Sequence, residues 1–92
     1  MPKEHHFKSR EDRAQYAKEL YRKLARRLHP DYNPFYDSNE DIRKMFIEAS
    51  DRYRCNDVAG LEIAEHKTAL LFDQLGLDGN AIEAKFLESK AN

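Results

Sequence analysis

Apolar positions along the chain recur at helical spacing, with no stretch of strand-like alternation. In the first segment Ala17, Leu20, Tyr21, Leu24 and Leu28 fall on one stripe. Ser9, with Asp12 three residues later, resembles a capping box in which Asp replaces the usual Glu. Pro30 disfavours the α conformation in the residue before it, so the first helix is expected to end at His29. A loop from Asp31 to Asp37 follows, marked by the turn-forming pair Asn33-Pro34. Ser38 offers an N-cap for a second helix, and Glu40 and Asp41 place negative charge in its first turn. Ile42, Met45, Phe46, Ala49 and Tyr53 form its stripe, which runs to about Arg54.

Asn56-Asp57 breaks and recaps the chain. A third helix starts at Val58, with Val58, Leu61, Ala64, Thr68, Leu71, Phe72 and Leu75 on one face and Gly76 as its C-cap. Asp78-Gly79-Asn80 makes a turn before a short last helix carrying Ile82 and Phe86. Each stripe is one face wide, so no helix buries its apolar side alone. The expected fold is all-α: a small domain built on an antiparallel helix hairpin over residues 9–55, closed by helices at 58–75 and 80–89. Residues 1–8 are expected to form a disordered tail. Tyr21, Leu24, Phe46 and Tyr53 are the expected core of the hairpin.

Composition narrows the function class. The chain has 92 residues, 36% of them charged, three glycines, three prolines and one cysteine, Cys55. That size suits one domain with a modest core. A single cysteine cannot form an intrachain disulfide and fits a reduced compartment. No apolar run approaches a membrane span, and MPKEHHFK has no apolar segment of the signal-peptide kind. A cytoplasmic protein without membrane partners is expected.

The net charge of −1 hides an asymmetry. Arg10 to Leu28 holds seven bases against three acids, a local charge of +4; Pro30 to Asn92 holds seven bases against thirteen acids, or −6. One reading is a dipolar surface suited to docking on an acidic protein. The other is that the two halves neutralise each other within the fold. A nucleic-acid partner is disfavoured by the overall pI of about 6.4.

Catalytic chemistry finds little support. His5, His6, His29 and His66 show no recurring metal spacing with the acids, and Glu62 with His66 is the kind of i,i+4 pair that surface helices carry. Cys55 has no neighbouring base in sequence, and the glycines are too dispersed to form a phosphate loop. Neither cofactor nor metal is expected, and the chain does not read as an enzyme.

The most informative stretch is Tyr21-Arg22-Lys23-Leu24-Ala25-Arg26-Arg27-Leu28-His29-Pro30-Asp31-Tyr32-Asn33-Pro34. It resembles the second helix and signature loop of the J-domain family, whose pattern is Tyr, two bases, Leu-Ala, then His-Pro-Asp-x-Asn. Phe46 and Tyr53, seven residues apart, match a Phe and a Tyr of the family's third helix. The resemblance spans Ala17 to Tyr53. It implies a co-chaperone of Hsp70 that docks on the nucleotide-binding domain and stimulates ATP hydrolysis. By the same resemblance His29, Pro30 and Asp31 form the signalling loop, and Arg22, Lys23, Arg26 and Arg27 the charged docking face.

The chemistry of the stretch is coherent with that role. Pro30 stops the helix and fixes the local backbone, and Asp31 presents a carboxylate suited to a partner arginine. Lys18, Arg22 and Arg26 lie four apart, as do Lys23 and Arg27, making two adjacent basic ridges. Taken alone, the tripeptide also reads as a helix terminator, and the basic helix as a solvated face. The sequence departs from the family in several places. No Tyr-x-x-Leu-Gly first helix precedes Ser9, the stretch from His29 to Phe46 is longer than is common, and Leu28 replaces a frequent aromatic. In place of the family's Asp-Pro pair, Cys55 to Leu61 leads into another helix. An alternative is therefore a J-like interaction module that binds other proteins through its C-terminal helices and has lost Hsp70 stimulation.

Overall fold

The computed structural model of the protein describes residues 9–91. Four helices follow in order: α1 (Arg10–Leu28), α2 (Glu40–Arg54), α3 (Val58–Leu75) and α4 (Gly79–Ala91). Among the described residues there is no strand, so the all-α expectation holds. The expected tail, with His5 and His6, lies outside the described residues.

Helix boundaries follow from local chemistry. Ser9 Oγ accepts the Asp12 N–H at 3.2 Å, satisfying one of the unpaired donors of the first turn. At the other end His29 leaves the helix with φ −61° and ψ 138°, the extended backbone demanded of a residue before proline. The N-cap of α2 differs from expectation. Asn39, not Ser38, fills it, accepting the N–H groups of Asp41 and Ile42 on Oδ1. Ser38 Oγ instead donates to the Phe35 carbonyl one turn back. The two residues are adjacent and both cap well, so composition alone could not separate them. Asp57 caps α3 by accepting the Gly60 N–H at 2.8 Å. Gly76 ends α3 with φ 68°, the left-handed conformation that glycine adopts without steric cost. The last helix begins at Gly79, one residue earlier than expected, with the Asp78 carboxylate accepting the Asn80 N–H.

The core lies where α1, α2 and α3 meet. Leu24, Leu28, Ile42, Ala49, Leu61 and Ala64 are 0–1% exposed there, and α1 also buries Ala17 and Leu20. Each large aliphatic residue so buried contributes roughly 1.5–3 kcal/mol. Of the four expected hairpin residues Leu24 is fully buried, while Tyr21, Phe46 and Tyr53 are half-buried against the core. Tyr21 and Tyr53 stack 4.5 Å apart with nearly parallel rings, and the Tyr21 hydroxyl meets Ser50 Oγ at 3.1 Å. The two aromatics clamp α1 to α2 at the edge of the core rather than within it. Leu75, expected on the packed face of α3, is instead 40% exposed.

Helix α4 packs on α1. It buries Ile82 and sets Phe86 edge-on to Tyr32 at 4.7 Å. It therefore lies beside the end of α1 and the loop that follows, which is where the candidate site falls.

Candidate functional site

The turn after α1 is built around one buried anchor, Asn33, and a partly buried one, Arg43. Both the Tyr32 and Asn33 amides donate to the His29 carbonyl, at 3.0 and 2.9 Å, folding the chain back on the helix end. Asn33 is 1% exposed and satisfies its side chain at both ends. Its amide donates to the Arg27 carbonyl at 2.9 Å, and its Oδ1 accepts the Phe35 N–H at 2.8 Å. A buried amide left unpaired would be costly, so both bonds hold the turn in one shape. From α2, Arg43 Nη1 donates to the carbonyls of Tyr36 and Asp37 and pins the far end of the loop.

His29 sits inside this frame. Its ring packs edge-on to Phe46 at 5.5 Å and tilts against Tyr32 at 5.7 Å. The Asp31 N–H donates to His29 Nδ1 at 3.0 Å, tying the ring to the turn backbone. The Asp31 carboxylate stands 3.6 Å from the same nitrogen and is 73% exposed. Pro30 is also exposed. The tripeptide thus presents an outward carboxylate, on a held backbone, beside a ring packed against Phe46.

The four bases expected to form a docking face share α1 but not one environment. Lys23 pairs with Glu65 of α3 at 3.0 Å. Arg26 and Arg27 both meet Glu83 of α4, at 3.7 and 3.4 Å, and Arg26 lies over the Phe86 ring at 5.3 Å. Arg27 also reaches the Asn80 side chain at 3.5 Å, and the bare Cα of Gly79 lets α4 begin against its guanidinium. Its Nε is buried with no hydrogen-bond partner. Arg27 is therefore a tether for α4 as much as a surface charge. Arg22 is exposed and meets no acid among the described residues.

Sequence reasoning missed the acids that answer this helix. Glu65 and Glu83 lie on later helices, at sequence distances that no periodicity within one helix reveals. Glu62, expected to pair with His66, instead accepts the Tyr16 hydroxyl of α1 at 3.0 Å. Partial burial first, then that bond and the negative charges of Glu62 and Glu65, push the Tyr16 phenol up to about 12. The structural role of Asn33 carried one signal, an Asn-Pro pair just after a proline-stopped helix.

Between α1 and α4 an open pocket of about 450 Å³ is lined by Arg22, Ala25, Arg26, His29, Tyr32, Phe86 and Leu87. Among the described residues no three His, Cys, Asp or Glu side chains gather as a metal would require, and no helix is long and apolar enough to cross a membrane. Cys55 is exposed with a free thiol. No family model, curated protein or solved structure matches the chain.

Proposed function

We propose that the protein is a J-domain-like co-chaperone or adaptor that binds Hsp70 and stimulates its ATPase through His29-Pro30-Asp31. The observation that carries the reading is the construction of that turn. A basic helix ends at a proline and delivers a 73% exposed Asp31 carboxylate in a turn fixed by buried Asn33. An acceptor so placed suits a bidentate arginine on a partner, and the exposed Arg22 farther back on α1 suits an acidic rim. Attraction between such surfaces speeds association and weakens with salt. The test is the steady-state ATPase rate of the host's Hsp70 with the protein and with its His29→Gln variant. The reading requires stimulation by the first and none by the second.

One observation favours a second reading. Lys23, Arg26 and Arg27 spend their charge on Glu65 and Glu83 inside the fold. A J-like hairpin whose basic face is already neutralised would serve as an interaction module without Hsp70 stimulation. Absence of any ATPase effect, with reproducible recovery of a different protein partner, would favour it.

A further inference from the structure

We infer that the pocket between α1 and α4 is a two-walled docking groove for an acidic, extended segment of a protein partner that carries one large aliphatic side chain. This deepens the reading of His29-Pro30-Asp31 as a docking loop, and rests on it for the partner's identity alone. The α1 wall is polar and carries two arginines: Arg22, Arg26 and the His29 ring lie at positions i, i+4 and i+7 of one ridge, with Ala25 between them. The α4 wall is apolar: Phe86 lies edge-on to Tyr32, and Leu87 beside it is 62% exposed.

The charges on the first wall are unequal. Arg26 is held by Glu83 and by the Phe86 ring, while Arg22 meets no acid among the described residues. Glu83 shows the chemistry that this ridge accepts, a carboxylate laid across it from α4. A partner carboxylate at Arg22 would extend the same pattern by one helical turn. The neighbouring apolar wall then needs a side chain to cover Leu87, which is 62% exposed. Ala25, the small residue on the ridge, leaves the room for it. A purely acidic segment would leave Leu87 in water, and a purely apolar one would leave Arg22 unanswered.

The experiment uses two synthetic peptides that differ at one position, a leucine or an alanine flanked on both sides by glutamates. Each is titrated into the isotopically labelled protein and followed by amide chemical shifts. The leucine peptide should bind about fivefold more tightly, the gain expected from partly burying the larger side chain. Shifts should centre on Arg22, Tyr32, Phe86 and Leu87. In Leu87→Asp, a change at an exposed position that leaves the core intact, the two peptides should bind alike. In Arg22→Gln both should weaken while the preference for leucine remains. Equal binding of the two peptides to the unaltered protein, shifts centred on another face, or no binding of either at about 1 mM would overturn the groove. Hsp70 is absent from this assay, so a failed ATPase test and a failed groove are told apart.

Discussion

Two neighbouring regions flank the candidate site and are held in opposite ways. The segment from Pro30 to Asn39 has no regular helix, yet buried Asn33 and the Arg43 guanidinium fix it at both ends. Helix α4 is regular, yet it is held mainly on α1, through Ile82, the Phe86 ring against Tyr32 of the loop, and the ion pairs of Glu83 with Arg26 and Arg27. Regular secondary structure and firm tertiary anchoring are separate properties. Bonds that are buried resist opening, whereas ion pairs open to water are weakened by screening. The firm turn is suited to presenting the Asp31 carboxylate from a fixed backbone. The lightly held helix is suited to adjusting against whatever enters beside it.

Removing the Asn33 side chain should have the largest effect. Asn33→Ala removes a side chain that is 1% exposed and leaves the Arg27 carbonyl and the Phe35 amide, both partly buried, without their partner, and should cost ~2 kcal/mol in urea unfolding. A loss below ~0.5 kcal/mol would mean that the turn is held by something other than this amide.

The tie between α1 and α3 comes next. Tyr16→Phe removes the bond to Glu62 and should cost ~1 kcal/mol near neutral pH. The Tyr16 phenol is raised from its usual 10.0 to about 12 in the folded chain. The folded state therefore favours the protonated phenol, so its contribution is complete below pH 10 and is lost as the pH climbs through about 12. The stability difference between the protein and Tyr16→Phe should shrink across that window. A difference that stays constant to pH 12 would remove the bond from the account.

Glu83→Gln should have the smallest global effect. Its partners Arg26 and Arg27 keep 37% and 24% of their side-chain surface in water, so screening leaves ~0.5 kcal/mol at most. Locally the change should be plain. Amide hydrogen exchange in α4 should quicken while α1, α2 and α3 keep their rates, and high salt should reproduce the effect in the unaltered protein. Equal acceleration in all four helices would show that α4 belongs to the main cooperative unit.

Much of the fold was legible because its signals are local. The proline stop at His29, the Ser9 and Asp57 caps, the Gly76 terminator and the stripes of α1 to α3 each depend on residues within a few positions. The N-cap of α2 was misplaced by one residue because Ser38 and Asn39 are chemically alike at that position. What stayed hidden is long-range: Glu65 and Glu83 answering the bases of α1, and Glu62 turning to Tyr16 rather than His66. The dipolar charge pattern left open whether its halves would meet a partner or each other. The structure shows Lys23, Arg26 and Arg27 meeting acids of the same chain while Arg22 meets none. The candidate turn was legible as a motif, but its rigidity was not, since that comes from the burial of Asn33 and from Arg43 reaching across from α2.

The measurement that bears most directly on the proposed role is Hsp70 ATPase stimulation, run with the intact protein and with His29→Gln confirmed as folded by circular dichroism. Stimulation by the intact protein and its loss in the variant is the predicted result. An unchanged ATPase rate with both proteins, or equal stimulation by both, would contradict it.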